Sequence, residues 1–259
     1  MINTNIPQLQ RLLSSTRRAV DDYGMISEGD RIAVGISGGK DSMALLAALA
    51  GLQRFYPKKF DIVPIHLQMG FPGSDDSNIR ELCEALNLPL VAVKTDIYQV
   101  VFEIRKEKSP CSLCANLRRG ILYSTAKEHG CRKIALGHHF DDAVETLLMN
   151  LFIEGNLGCF SPVTYLDRMD VTMIRPLLYA KEKELKSFVT AAGITCSPKY
   201  CPADGNTKRE EWKQFLAELE RKDPGVKDRV FGAIERAELD GFSVHKRGRK
   251  HGGEDTATQ

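Results

Sequence analysis

The segment Ile32 to Leu46, IAVGISGGKDSMALL, constrains this chain more than any other. An apolar run enters the turn Ser37-Gly38-Gly39-Lys40-Asp41-Ser42, and a strongly apolar helix leaves it. Two adjacent glycines let the backbone turn tightly and approach a ligand with no Cβ in the way. The helix that follows offers unpaired N–H groups and the positive end of its dipole to an anion. Ser37 and Ser42 add hydroxyls, and Lys40 adds a point charge. A serine-capped glycine turn is the plain alternative, but a bare turn does not need this set of polar side chains at a strand-to-helix junction.

The pattern around this unit repeats its logic. Apolar periodicity predicts strands at Arg31 to Ile36, Asp61 to Leu67, Pro89 to Lys94, Lys133 to Gly137 and Val171 to Ile174. Between them it predicts helices at Ser42 to Leu52, Ser77 to Leu86, Cys114 to His129, Asp142 to Phe152 and Lys181 to Ala192. An amphipathic helix at Asn5 to Tyr23 precedes them. Strands alternating with helices predict an α/β fold with a doubly wound, five-stranded parallel sheet, and ligands at the carboxyl ends of the strands. Two polar helices, Lys208 to Arg221 and Gly225 to Leu239, form a C-terminal appendage. The expected division is an N-terminal helix over 1–30, the main domain over 31–200, a helical segment over 201–241 and a disordered basic tail over 242–259.

Composition narrows the class. A chain of 259 residues with 42% apolar and 27% charged residues suits one large globular unit. No apolar run is long enough for a membrane span, and the first residues lack the order of a secretory signal. A cytoplasmic protein is the default, and there the 7 cysteines are thiols or metal ligands rather than disulfides. The net charge of +2 excludes a polycation but not a local nucleic-acid-binding patch. Arg17-Arg18, Lys58-Lys59 and the run from Lys246 to Lys250 are the basic candidates, each explicable as a solvated surface.

The loop is not the G-x-x-x-x-G-K-[ST] of ordinary nucleotide triphosphatases. Its spacing from Gly35 is one residue short, and Asp41 replaces the hydroxyl residue after the lysine. An aspartate there can hold Mg²⁺ beside phosphates. SGGKDS after an apolar strand resembles the PP-loop ATP pyrophosphatase superfamily, whose fold is adenine nucleotide alpha-hydrolase-like. The resemblance implies cleavage of ATP between its α and β phosphates, with adenylation of a carbonyl oxygen on the substrate. The nucleotide-binding set is expected to comprise Ser37, Gly38, Gly39, Lys40, Asp41 and Ser42, with His66 and Leu67 at the end of the second strand and Gly137 and His138 at the end of the fourth.

Gly137-His138-His139-Phe140-Asp141-Asp142 closes the fourth strand beside this loop. Asp142-x-x-Glu145 reads as a capping box. The functional reading is that Asp142 helps bind Mg²⁺ or positions the base: carboxylates beside phosphates repel unless a cation joins them, so Asp41 and Asp142 together imply Mg²⁺. Neighbouring His138 and His139 point apart, which disfavours joint ligation of zinc.

Cys111-Ser112-Leu113-Cys114 puts two sulfurs on one side of a helical turn. With Cys201 it suits a [4Fe–4S] cluster, with Cys196 and Cys201 a closed zinc site, and alone a redox pair carrying a persulfide. Spacing alone slightly favours zinc. Cys83, Cys131 and Cys159 read as small buried apolar residues. Arg118 shares a helix face with Cys114 and suits a cluster's charge or a substrate phosphate, whereas Arg119 reads as solvated.

The order SGGKDS, CSLC with LRRG, GHH-x-DD, Arg175-Pro176-Leu177 and a distal Cys201 is similar to the tRNA 2-thiocytidine synthetases, which act on cytidine 32, over about Arg31 to Cys201. That resemblance implies an ATP-dependent tRNA sulfurtransferase with Lys40, Asp41, Asp142 and Arg118 as catalytic residues. It implies a [4Fe–4S] cluster on Cys111, Cys114 and Cys201 whose unique iron carries the sulfur. Its expected partners are tRNA and a sulfur donor, either a cysteine desulfurase or free sulfide, with no membrane, and the chain is expected to be a homodimer. Gln68 stands where these synthetases carry an acidic residue, and Cys201-Pro202 is closer to the 2-thiouridine thiolases, so uridine thiolation is one alternative. A lysidine-type ligase with a structural zinc site on Cys111, Cys114, Cys196 and Cys201 is another, and a nucleotide-binding regulatory module is a third.

Overall fold

The structure is a computed structural model describing residues 6–106, 110–198, 200–202 and 208–243. Strands β1 (Asp30–Ile36), β2 (Phe60–Gln68), β3 (Val91–Lys94), β4 (Lys133–Ala135), β5 (Val163–Leu166) and β6 (Val171–Ile174) form one sheet in the order β3-β2-β1-β4-β6-β5. All neighbours run parallel except β5, which pairs antiparallel with β6. The expected five strands are all present, and β5 makes a sixth. It is short and incompletely buried at the sheet edge, so it carries no run of core residues for periodicity to detect.

Helices are α1 (Pro7–Asp22), α2 (Lys40–Gln53), α3 (Ser77–Ala85), α4 (Pro110–Glu128), α5 (Phe140–Met149), α6 (Glu182–Ala191), α7 (Lys208–Lys222) and α8 (Val226–Arg236). Alternation along β1 sorts the two faces. Ile32, Val34 and Ile36 enter the larger core with α1, α2, α5 and α6, while Ala33 joins Leu122, Tyr123 and Ala126 of α4 on the other face. Glycine at position 35 brings α4 close, since a Cβ there would lie 3.1 Å from Leu122 Cδ2. Helix α2 is apolar nearly all round because it is buried all round, with Leu45, Leu46, Leu49 and Leu52 fully enclosed. Each contributes about 1.5–3 kcal/mol of hydrophobic stabilisation.

The C-terminal helices extend this core. Leu216 of α7 and Phe231 and Ile234 of α8 are buried in the same cluster as α2 and α6. Phe242, the first residue of the expected tail, is also fully buried and sits edge-on to Tyr23 and Phe231. The rest of the basic tail, including Lys246 to Lys250, lies outside the described residues. Two π-helical turns, Gln99–Ile104 and Asn150–Glu154, break the expected pattern. The second ends at Gly155 in a left-handed conformation and replaces the last turn expected of α5.

Candidate functional site

The strand order reverses between β1 and β4, so the loops leaving these strands flank the crevice where open parallel sheets bind ligands. The loop after β1 is braced from within. Ser42 Oγ accepts the Ser37 N–H at 3.1 Å, lies 3.1 Å from Ser37 Oγ and donates to Gly39 O at 2.9 Å. Gly38 has φ +80°, which glycine adopts without strain. Its carbonyl accepts the Ser197 N–H at 2.9 Å, and a Cβ at 38 would fall 2.0 Å from Ser197 Oγ. Asn78 of α3 holds Ser197 in place through a 3.0 Å bond to its hydroxyl. Asn78 and Ser197 are absent from the expected set, and no local motif marks them.

The loop after β4 touches the first one directly. A Cβ at Gly137 would lie 3.1 Å from Asp41 C and 3.2 Å from Ser42 N. His139 is buried, and its Nε2 lies 3.6 Å from Asp41 Oδ1 and 3.5 Å from Asp142 Oδ2. The two aspartates paired by sequence reasoning therefore share one imidazole nitrogen. The capping box expected at Asp142 and Glu145 is displaced. Helix α5 begins at Phe140, and Asp142 Oδ2 accepts the His139 N–H at 2.9 Å. Glu145 is instead buried inside the helix, and burial, with Asp142 nearby, pushes its carboxyl up to about 7. His138 turns the other way, 5.1 Å from the Phe160 ring, and burial beside Arg175 lowers it to about 4.

Lys40 Nζ is held by Asp41 at 2.9 and 3.0 Å and by Glu182 at 2.9 Å. Burial alone would lower the ammonium pKa, but these two carboxylates outweigh it and raise it. Burial alone would raise Glu182, but bonds from Lys213 and Lys40 hold it at about 2. Arg209 of α7 lies 3.2 Å from Asp142 Oδ1, Lys213 lies 2.6 Å from Glu182, and Lys227 of α8 lies 2.7 Å from Asp141. Glu182, Arg209, Lys213 and Lys227 escape sequence reasoning because their partners are distant in the chain. His66 closes the nearby rim: its Nδ1 lies 2.9 Å from the carbonyl of Ile36, the residue before the loop. Leu67 packs into the α4 face of the sheet.

The cysteines separate into three groups. Cys83 and Cys131 are buried, and Cys159 is half-buried. Burial pushes Cys83 up to about 11 and Cys159 up to about 12, as inert core thiols. Cys196 precedes Ser197, whose N–H bonds to Gly38 O, and so lies beside the phosphate loop, where Lys40 and Asp41 act on its thiol. Cys111 and Cys114 lie on the first turn of α4, the former exposed and the latter half-buried. Burial raises the Cys114 thiol, Arg118 acts against it through charge and a hydrogen bond, and nearby Cys201 and Cys111 add to the rise. Cys114 therefore lies within electrostatic reach of Cys111, Cys201 and Arg118. Among the described residues no three His, Cys, Asp or Glu side chains converge closely enough to hold a metal ion as they stand. Arg119 bonds to its own helix, to Ala115 O and Asn116 Oδ1.

The basic pairs nearer the N-terminus are engaged locally. Arg17 and Arg18 lie 3.6 Å from Asp21 and Asp22, and Lys58 donates to Ile26 O. Among the described residues no helix is long and apolar enough to cross a membrane.

Comparison with known proteins agrees with this geometry. A family model described as a PP-loop domain matches residues 7–211. A tRNA-cytidine(32) 2-sulfurtransferase of Pelobacter propionicus is 40% identical over 88% of this chain and 86% of its own length. The enzyme of the same name from Geobacter sulfurreducens is 40% identical over 87% and 89%. Among solved structures, the U34-tRNA thiolase NcsA from Methanococcus maripaludis with its [4Fe–4S] cluster matches with a TM-score of 0.72 at 25% identity, over 86% of this chain and 77% of that one. The chain belongs to the tRNA-cytidine(32) 2-sulfurtransferase family of PP-loop proteins.

Proposed function

We propose that this chain is an ATP-dependent tRNA 2-thiolase acting on cytidine 32. The observation that carries the ATP half is the meeting of Lys40, Asp41, His139 and Asp142 at the sheet's switch point. Two relatives of the same name, each 40% identical over most of the chain, support the substrate. ATP binds with its phosphates against the SGGKDS turn and the first turn of α2. The C2 oxygen of the base attacks the α-phosphorus, the bond to the β-phosphate oxygen breaks, and pyrophosphate leaves. A sulfur nucleophile then adds at C2, the C–O bond breaks, and AMP carries the oxygen away. Lys40 and the α2 N-terminus stabilise charge on the phosphates during the first step.

Asp41 and Asp142 suit Mg²⁺, since both are oxygen donors and both lie against the same imidazole edge. Cys111, Cys114 and Cys201 suit a [4Fe–4S] cluster: they are neighbouring thiols with Arg118 beside them to offset negative charge. Cys111, Cys114 and Cys201 would hold it by three thiolates, and the cluster would supply an open iron position for sulfide. The place of Cys196 beside the phosphate loop favours this three-thiol set over a four-cysteine zinc site. The remaining partners are a sulfur donor, either a desulfurase or free sulfide, and a second copy of the chain. The site of action is the cytoplasm.

Mass spectrometry of tRNA nucleosides from a deletion strain tests the substrate. Loss of 2-thiocytidine is the expected result, and normal 2-thiocytidine would overturn it. Likeness to a U34-tRNA thiolase favours 2-thiouridine as the second reading, and its selective loss would establish that one.

A further inference from the structure

A chain of ion pairs and polar contacts runs through the nucleotide site and both begins and ends on α7. Lys213 lies 2.6 Å from Glu182 Oε1, which lies 2.9 Å from Lys40 Nζ, itself 2.9 Å from Asp41 Oδ1. Asp41 Oδ1 lies 3.6 Å from His139 Nε2, His139 Nε2 lies 3.5 Å from Asp142 Oδ2, and Asp142 Oδ1 lies 3.2 Å from Arg209. Arg209 and Lys213 are one helical turn apart and share a face. A helix outside the strand-and-helix repeat thus closes a circuit around the phosphate loop. Resting on the ATP reading above, we propose that Arg209 is a binding residue for the polyphosphate of ATP, held on Asp142 in this structure and transferred to the phosphates when a divalent cation takes Asp142.

The geometry distinguishes Arg209 from its neighbour. Lys213 is fixed at 2.6 Å to a carboxylate that Lys40 also grips, as a brace would be. Arg209 is held more loosely, by Asp142 at 3.2 Å and by the Thr146 hydroxyl at 3.3 Å. Its side chain keeps 45% of its exposure, against 18% for Asp142. A guanidinium in this setting is free to reorient, and its planar fork matches phosphate oxygens better than one carboxylate oxygen and a hydroxyl. Its field already reaches His138 and Glu145 on the floor of the crevice. Charge also requires the exchange. Asp142 cannot keep Arg209 and hold a cation equally well, and a polyphosphate brings several negative charges to the spot where the arginine is released.

The test is titration calorimetry on anaerobically purified full-length protein with MgATP, magnesium pyrophosphate and AMP. Arg209→Ala is expected to weaken MgATP and pyrophosphate roughly tenfold or more, and AMP less than about twofold. Arg209→Lys should recover part of the loss. Arg229→Ala on α8, which pairs with Asp223 away from the site, should match wild type. Equal weakening of ATP and AMP, or a fallen melting temperature in Arg209→Ala and Arg209→Lys alike, would make Arg209 a structural brace and overturn the proposal. Loss of MgATP binding in Lys40→Ala with none in Arg209→Ala would overturn it and leave the ATP site standing. A wild-type protein that binds no MgATP would overturn both.

Discussion

The nucleotide half and the cysteine half of this protein are built by different means. At the nucleotide half, folding alone assembles the site. Two loops are forced together where the strand order reverses, Gly137 lets their backbones touch, and Lys40, Asp41, Glu182, Asp142 and Arg209 each have a partner of opposite charge. At the cysteine half, folding brings Cys111, Cys114 and Cys201 near one another with Arg118, yet they stand as neighbours and not as a closed ligand set. Packing specifies the first site. The second would be completed by the cluster proposed above. Metal binding free energy would then be part of the order at that end, and damage to one half should spare the other.

The largest effect tests that independence. Replacing Cys111, Cys114 or Cys201 by Ala should abolish both iron absorbance and thiolation while leaving ATP affinity within about twofold of wild type. Cys196→Ala should keep the absorbance, because Cys196 adjoins Ser197, whose N–H bonds to the phosphate loop, and feels the charges of Lys40 and Asp41. Stoichiometric zinc without iron after anaerobic reconstitution would break the comparison at its cysteine end. Next in size is Lys40→Ala, expected to lower turnover about 10²- to 10³-fold with the iron spectrum unchanged. Labelled ATP should give AMP and pyrophosphate in the wild type. ADP as the main product would refute the adenylation step.

The same division decides what the sequence reveals. β1, β2 and α2 are legible because their apolar runs are long and enclosed, and the phosphate loop is legible because all its residues are contiguous. β5 is not, since Val163–Leu166 is a short edge strand without a buried side. The C-terminal helices are legible as helices but not as parts of the site. Their charged faces look like solvated surface until Arg209 and Lys213 are found on Asp142 and Glu182. The Asp142–Glu145 capping box fails because α5 starts earlier, at Phe140, leaving Glu145 inside. The cysteine set shows the opposite limit. Spacing left iron and zinc open, and family resemblance, not local physics, selected Cys201 over Cys196.

A third prediction probes strain within the preformed half. Glu145 keeps its proton to about pH 7 in the folded protein but releases it near 4.5 when unfolded. A carboxyl raised in this way favours the unfolded state once that state ionises. Stability is therefore fully retained below pH 4.5 and declines as pH rises to about 7. At 1.36 kcal/mol per unit, the decline is up to about 3 kcal/mol. Glu145→Gln should flatten it. Urea melts at pH 5 and pH 8 measure the difference, and a variant that loses as much stability as wild type over this range would refute the burial argument.

The smallest effect concerns the contact that joins the two loops. Gly137 does not occupy the left-handed region, so an alanine there meets no backbone penalty of its own. The cost is steric. The new Cβ would sit 3.1 Å from Asp41 C, 3.2 Å from Ser42 N and 3.3 Å from Asp41 O, all backbone atoms at the start of α2. Backbone cannot swing aside as a side chain does, so the two loops must part by a few tenths of an ångström. Overpacking of this kind costs about 1 kcal/mol where the neighbours yield slightly. The displacement falls on the residues that carry Asp41 and the α2 N-terminus, so Gly137→Ala should weaken MgATP binding several-fold. It should lower the melting temperature by only a few degrees and leave the iron spectrum untouched. Altered iron absorbance in this variant would show that the two halves are mechanically coupled, and normal ATP affinity would show that the loops have more room than their contact implies.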